Sequence, residues 1–597
     1  MTQAIRSFRS LVGAFLAIAS LCFNVGAAER GRPNIVILVA DDWGFSDVGA
    51  FGGEIATPHL DALAARGSRF SNFHVAATCS PTRAMLLTGV DHHRNGVGNM
   101  PETTPPEQEG KPGYAGVLAP DTVTLATMLR DSGYHTYIAG KWHVGKEPEN
   151  LPGRRGFERS FIQADSGTDN WENRPYMMLY DKTYWFEQDR PAQLPKDFYS
   201  SRFFVDKTIG YIREQAADGK PFMAYIGFQA NHIPIQAPAE FVAKYRGRYD
   251  QGWTVLRQSR RDGAIRTGML PAGMPMATLA STVAWDSLTP DKQRQQARRM
   301  EVYAGMAEAM DHHIGRLIAH LKSTGEYDNT VFLFMSDNGA EASDPYALAL
   351  GRLWLDMHYK RDIDGLGGKG SYAVIGPNWA SAATAPMSTY KFFAGEGGIR
   401  VPLVIAGVKG MAKPQVHASL THVNDIVPTL LDLAQVQHPG TRYKGQEVEP
   451  LSGHSLLPVL QGQVQRVRGP EEILGYELSG NQAIFKGDYK LLKNMPPVGD
   501  NQWHLFDIVQ DPGETKDLQS AMPELFQSLQ IEYEKWAKAN GVLPMPQDYD
   551  PIDQVMINSA IFVYWPRHKW HLTGLLVVLA GLAWVWRKRR TLRKQLP

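Results

Sequence analysis

Five short aliphatic runs constrain the fold of this chain more than any other feature. Asn34–Val39, Tyr134–Ala139, Phe222–Phe228, Thr330–Met335 and Val401–Ile405 are apolar with hardly an interruption. That pattern marks strands buried on both faces of a parallel sheet. Helical patterns lie between them at Pro58–Arg66, Val123–Asp131 and Pro290–Ser323. In the last, Tyr303, Ala307, Met310, Ile314, Leu317 and Leu321 recur at spacings of three and four. Strands alternating with helices predict an α/β fold with a large central sheet, mixed but mainly parallel, flanked by helices. After about residue 470 the runs shorten. Glu472–Leu478, Gln482–Lys486, Tyr489–Asn494 and Trp503–Phe506 read as strands joined by tight turns, and Pro523–Ala539 reads as a helix. A small C-terminal α+β domain is therefore expected, and 597 residues are more than one ordinary core accommodates.

Functional groups in such a sheet gather at the carboxyl ends of the strands. Here Asp41-Asp42 follow the first run, Lys141 and His143 the second, His232 the third and Asp337-Asn338 the fourth. Lys141 and His143 are two apart, so on an extended segment both side chains face the same side. The two pairs offer only oxygen ligands, which suits a hard cation such as Ca²⁺ or Mg²⁺ and not zinc. Three carboxylates held together would repel strongly without a cation between them. Taken alone, Asp41-Asp42 would read as a helix cap; the second pair, in Ser336-Asp337-Asn338-Gly339, favours a metal site.

Ala77-Thr78-Cys79-Ser80-Pro81-Thr82-Arg83, running on to Leu87-Thr88-Gly89, resembles the first signature of the formylglycine-dependent sulfatases, with every fixed position met. Gly133-Tyr134-His135-Thr136 with Ala139-Gly140-Lys141-Trp142-His143 resembles the second. His232-Ile233-Pro234 is similar to the family's His-x-Pro loop, and Lys391 stands five residues before Glu396-Gly397-Gly398, the spacing of its second lysine. The resemblance covers nearly all of residues 33–540 and is nearest to the large bacterial arylsulfatases, carried by Tyr249-Asp250-Gln251-Gly252-Trp253 and Gly376-Pro377-Asn378-Trp379-Ala380. Residues 341–390 form a long insertion, expected to lie over the substrate.

This resemblance implies an alkaline-phosphatase-like fold and the hydrolysis of sulfate esters, of small molecules or glycans. It implies that Cys79 is oxidised by a formylglycine-generating enzyme to an aldehyde whose hydrate attacks sulfur, splitting one hard step into two. Asp41, Asp42, Asp337 and Asn338, with the modified Cys79, would hold the cation, Ca²⁺ or alternatively Mg²⁺. Arg83 and Lys141 would stabilise the hydrate, and Asp337 would accept its first proton. Lys391 and His232 would bind sulfate and assist the leaving group, and His143 would remove the second proton. Ser166 and Thr168 are candidates for a further sulfate contact. Two other readings stand beside this one. A phosphonate monoester or phosphodiester hydrolase of the same superfamily would share most of these residues, though Gly140-Lys141-Trp142-His143 and the His232 loop lean towards sulfate. A non-catalytic, membrane-tethered relative would have lost nucleophile or metal positions, and none is missing.

The termini concern destination. Residues 1–28 carry Arg6 and Arg9, an apolar run from Leu11 to Phe23, and then Gly26, Ala27 and Ala28, the pattern of a secretory signal; an uncleaved anchor is the alternative. Trp570–Trp586 is apolar except for His571 and Thr573 and precedes six basic residues between 587 and 594. It reads as a membrane span with a cytoplasmic basic tail, 587–597; a buried or interfacial helix is the alternative. The expected divisions are 29–460 for the large domain, 461–545 for the small one, 546–569 for a juxtamembrane linker and 570–586 for the span. Export to a bacterial periplasm or cell surface follows. Of two cysteines, Cys22 lies in the signal segment, which leaves Cys79 alone and excludes an intrachain disulfide in the mature chain. With 62 basic against 61 acidic residues, the chain lacks the surplus positive charge of a nucleic-acid binder.

Overall fold

Ile35–Val39 lies at the centre of the molecule because neither of its faces is polar. In the computed structural model, which describes residues 31–593 except 278, 280 and 548, it is part of β1 (Asn34–Ala40). The expected signal segment lies outside the described residues. Val36 and Leu38 enter one apolar core and Ile35, Ile37 and Val39 another, on opposite faces of the sheet. The other strands of that sheet are β2 (Gly67–Phe70), β3 (His135–Lys141), β4 (Arg159–Gln163), β5 (Trp185–Glu187), β6 (Arg190–Pro191), β7 (Phe222–Gly227), β8 (Thr330–Ser336), β9 (Leu403–Ala406) and β10 (Val416–His417). Their spatial order is β10-β2-β9-β8-β1-β7-β3-β4-β5-β6. The central five, β8, β1, β7, β3 and β4, are all parallel.

Helices cover both faces. On one side pack α4 (Ser200–Gln215) and the 34-residue α5 (Pro290–Ser323); α1 (Pro58–Arg66) joins them. On the other lie α2 (Cys79–Thr88) and α3 (Leu125–Asp131). α5 starts where the sequence says it should, with Pro290 in the first turn and the Thr289 side chain accepting from the Lys292 amide. Its expected stripe, Tyr303 to Leu321, is entirely buried. Within the 341–390 insertion forms α6 (Ala349–His358).

One expectation is corrected here. Val401–Ile405 supplies β9, but β9 runs antiparallel to both β8 and β2. The chain enters it from the Lys391–Arg400 loop at the carboxyl end of the sheet, so it must run back towards the other end. An apolar run reports burial and not direction.

The small domain is a four-stranded antiparallel sheet in chain order: β11 (Ile473–Leu478), β12 (Asn481–Lys486), β13 (Tyr489–Lys493) and β14 (His504–Asp507). Its first hairpin turns through Ser479-Gly480, both left-handed, as a two-residue turn requires. α7 (Pro523–Asn540) covers the sheet with Leu529 and Tyr533. Residues 546–569, expected as a juxtamembrane linker, are largely helical. The Asp550 side chain accepts from the Asp553 amide and starts α8 (Pro551–Asn558), followed by a wider turn at Ser559–Tyr564 and by α9 (Trp565–Arg593). Among the described residues no single helix is long and apolar enough to cross a membrane. The pair Asp553–His571 and Leu576–Arg587, bent by 45°, meets that requirement by length and composition only.

Candidate active site

Helix geometry explains the spacing in the Cys79 segment. Cys79 is the first residue of α2, where the backbone amides have no partner within the helix and the dipole favours an anion. Pro81 falls in that same turn, where its missing N–H costs nothing. Arg83 follows Cys79 by one turn, so the two side chains share a face. Thr82 Oγ1 accepts from the Ala76 amide at 2.9 Å and holds the loop that leads into the helix.

The carboxyl ends of β1, β3 and β8 meet at this point. Asp41, Asp42, Cys79 and Asp337 bring their ligand atoms within 4.8 Å of one another. Neighbours on an extended strand point to opposite sides, but Asp42 is left-handed, with φ of 64°, and that turn brings both carboxylates to one place. All these groups are buried. The Arg83 Nε donates to Asp337 Oδ2 at 2.9 Å, Lys141 Nζ to Asp41 Oδ2 at 2.7 Å, and Lys391 Nζ to Asp42 Oδ1 at 2.8 Å. Burial raises Asp41 and pushes Asp42 up to about 8. For Asp337 burial is outweighed by Arg83, Lys141 and Lys391, which hold it below the usual carboxylate range.

Two buried oxygens in this cluster, Asp42 Oδ2 and Asn338 Oδ1, have no hydrogen-bond partner. The Asn338 amide nitrogen is engaged with Asp42 Oδ1 at 2.6 Å, so its oxygen remains available. Orphaned acceptors beside three carboxylates are an oxygen donor set that fits a hard divalent cation.

Arg83 lies against the sheet where two glycines face each other. Gly140 and Gly227 are register partners on β3 and β7. A Cβ at Gly227 would lie 2.8 Å from Arg83 Nη1, and one at Gly140 would lie 2.0 Å from the Gly227 carbonyl oxygen.

The histidines are placed differently from each other. His143 is left-handed, with φ of 57°, so the simple alternation expected of Lys141 and His143 does not hold. β3 ends at Lys141, and the chain turns beyond it. His143 Nε2 meets Glu102 at 3.2 Å while Nδ1 is buried without a partner. His232 Nδ1 donates to the Ile233 carbonyl at 2.7 Å, and Nε2 lies 4.0 Å from Asp42 Oδ2. Burial, then Lys141 and Lys391, holds the His232 ring well below its ordinary value, and burial lowers His143 in spite of Glu102. Lys391 also pairs with Glu341 at 2.9 Å.

Cys79, His232 and Lys391 line a cavity of about 450 Å³. Ser166 lines it too, bonded to Tyr176 and Tyr180 at 2.6 and 2.7 Å. Thr168, the other candidate for a sulfate contact, spends its hydroxyl on the Arg174 carbonyl and lies outside the lining. Residues of the insertion, Glu341 to Leu355, form one wall.

The Sulfatase family pattern matches residues 33–436. The chain belongs to the sulfatase family. An uncharacterized sulfatase of Schizosaccharomyces pombe is 39% identical over 539 residues, spanning 87% of this sulfatase and 96% of its own length. An arylsulfatase of Klebsiella aerogenes is 34% identical over 439 residues, spanning 72% and 93%. The solved structure of Ps i-CgsB in complex with k-i-k-neocarrahexaose superposes with a TM-score of 0.61 at 23% identity, over 89% of this chain and 98% of that one, a likeness of fold. This sulfatase is a sulfuric ester hydrolase, with the mixed sheet and small antiparallel domain that its fold neighbours share.

Sequence motifs missed the residues that support the site from a distance. Glu102 holds His143, and Glu341 holds Lys391. Glu341 lies three residues past Asn338 and adjacency was its one signal; Glu102 had none. From the small domain, Tyr476 OH accepts from the Ala77 amide at 3.0 Å, and Lys490 pairs with Glu396 at 2.9 Å behind the Lys391 loop. Trp253 and Trp379, which carried the likeness to bacterial arylsulfatases, stack edge to face at 5.4 Å and are fully buried, so they are core.

Proposed function

We propose that this sulfatase cleaves sulfate monoesters with a formylglycine at position 79 and a divalent cation, Ca²⁺ or Mg²⁺, held by Asp41, Asp42, Asp337 and Asn338. The observation that carries this reading is the place of Cys79. Its Sγ, standing where the oxygens of the modified residue would be, lies 3.5 Å from Asp41 Oδ1 at a helix N-terminus, on the wall of the cavity. Burial pushes the thiol far up although Lys141 and Lys391 oppose it. Unmodified Cys79 is therefore a neutral thiol and a poor nucleophile. The hydrated aldehyde supplies a hydroxyl nucleophile and a second hydroxyl whose deprotonation releases sulfate, and the cation supplies positive charge that favours ionisation of that hydrate.

The side chains around it do the rest. Asp337 receives the first proton. Lys141 and Arg83 carry positive charge against Asp41 and Asp337 and stabilise negative charge developing at residue 79. Lys391 binds the sulfate oxygens. His232 starts as a neutral acceptor at Nε2; an anionic ester beside it offsets the repulsion of the two lysines and lets it take up the proton it passes to the leaving alcohol. His143, its Nε2–H fixed by Glu102, offers Nδ1 as the base for the second proton. The signal-like N terminus and the apolar C terminus support export, modification of Cys79 by a formylglycine-generating enzyme, and attachment to a membrane.

Mass spectrometry of the peptide containing residue 79 from active enzyme tests the reading. The expected residue has lost the elements of hydrogen sulfide and gained one oxygen. Active protein holding only the thiol would overturn it, and Cys79→Ser is expected to lose nearly all turnover with its circular dichroism unchanged.

A further inference from the structure

We propose that the substrates are sulfate esters of large apolar alcohols, of the long-chain alkyl or sterol type, whose apolar part fills the cavity leading from Cys79. This deepens the reading above and rests on Cys79 as the centre that attacks sulfate. A volume of about 450 Å³ is far more than a sulfate group needs, and it falls within the range of pockets that enclose whole small molecules.

Away from the charged end, the wall is apolar and built from separate segments. Met177, Ile233, Trp354, Phe392, Val498 and Met556 come from six parts of the chain. Most of the polar side chains along it already have protein partners. Glu102 is taken by His143 and Tyr180, Ser166 by Tyr176 and Tyr180, Asp344 by Arg299, and Glu341 by Lys391. A sugar brought here would surrender hydroxyl hydration and find few free partners in return, whereas an alkyl or ring system gains from leaving water.

Two walls of the cavity continue into apolar surface. α6 contributes Gly351, Trp354 and Leu355 to the lining and exposes Leu350, Leu353 and Met357 to solvent. α8 contributes Val555 and Met556, and the turn after it exposes Ile561 and Phe562. A helix that is apolar both towards the site and towards solvent suits a protein that meets its substrate at a lipid surface.

A homologous series tests this without confusing leaving-group chemistry with fit. Butyl, hexyl, octyl and decyl sulfate share one leaving group and differ only in apolar length. Their affinity for the inactive Cys79→Ser protein, read by calorimetry below micelle concentrations, is expected to rise about threefold to fourfold per methylene until the cavity is full. Glucosamine 6-sulfate is expected to bind at least tenfold more weakly than octyl sulfate. Trp354→Ala and, separately, Met556→Gln are expected to flatten the series, so that failure of one variant to fold leaves the other decisive. Equal affinity across the series, or tighter binding of the sugar sulfate, would overturn the proposal. Turnover of 4-nitrophenyl sulfate by the unsubstituted enzyme checks the chemistry separately. If the enzyme leaves it intact, the reading of Cys79 fails, and the proposal with it; if it is turned over while the series is flat, the proposal alone fails.

Discussion

Glu102 determines what His143 can do. Although burial opposes it, His143 together with Tyr180 holds the Glu102 carboxyl down to about 2, so the carboxylate is ionised and accepts from Nε2–H. That fixes the tautomer and leaves Nδ1 as the free base. His143→Ala is expected to slow turnover on the order of 10²–10⁴-fold, after a burst of phenol released in the first turnover. Glu102→Gln is expected to do the same more mildly, because an amide can also donate to Nε2 and favour the other tautomer. Stopped-flow release of nitrophenol reads both; linear release at an unchanged rate would show that neither acts after sulfate transfer. The cation site can be tested through stability. A ligand bound only by the folded protein stabilises it by ~2.7 kcal/mol when present at 100 times its Kd. Exhaustive chelation should therefore lower both melting temperature and activity, and Ca²⁺ or Mg²⁺ should restore them; metal-free protein with an unchanged melting temperature would contradict this. Cys79, Arg83, Lys141, Asp337 and Lys391 were legible because their spacing is local and repeats a known pattern. Glu102 reaches across the fold onto His143, and no spacing in the chain announces that; Glu341 reaches Lys391, with its place three residues past Asn338 as the one signal.

Strands and helices were legible to within a residue or two wherever their apolar pattern was long, as in α5 and β8. Direction was not, because the loop that feeds β9 decides it and that loop is irregular. The closeness of β3 and β7 was equally hidden. Gly140 sits at φ of 104°, and a Cβ there would be 2.0 Å from the Gly227 oxygen, so the two strands can approach only as glycines. Gly140→Ala should therefore force β3 outward just where it delivers Lys141, and turn Lys141 away from Asp41. The expected outcome is a large loss of stability, in the upper range of single substitutions at roughly 3–5 kcal/mol, with activity lost in whatever protein folds. Ala84→Gly, on the buried face of α2, provides a contrast, because it should cost only about 1 kcal/mol of helix propensity, plus the methyl contacts it removes. Urea midpoints of the two variants decide the matter; a Gly140→Ala protein as stable as the parent would mean that the strand contact is not tight.

At the scale of the whole molecule, the small domain acts as a brace. The sequence showed that it exists, through its short strands, but not what it touches: Leu478, Phe485 and Ile508 join the large domain's core, and its polar contacts are single strand residues whose partners are far away in the chain. Lys490 reaches Glu396 behind the Lys391 loop, Tyr476 reaches the loop before Cys79, and Glu477 reaches His93. The last contact gives the interface a pH dependence. His93 is buried, which alone would disfavour its cation, but hydrogen bonds to Asp91 of the large domain and Glu477 of the small one outweigh this and raise it from 6.5 to about 9. The neighbouring His92 is held down to about 3, by burial first and then by His93, so it stays neutral through the range in question. A group whose pKa is higher in the folded state gives its full stabilisation below 6.5 and loses it as pH rises through 9. A shift of that size corresponds to at most about 3 kcal/mol. Melting temperature should thus fall from about pH 6 to about pH 9.5 in the parent protein, while His93→Gln, which keeps a hydrogen-bonding side chain but no charge, should start lower and change less. The difference between the two proteins isolates His93 from every other group that titrates in the range. If that difference is the same at both ends of the range, the two domains are not joined by a charged histidine, and the Lys490 and Tyr476 contacts hold the brace together with apolar packing.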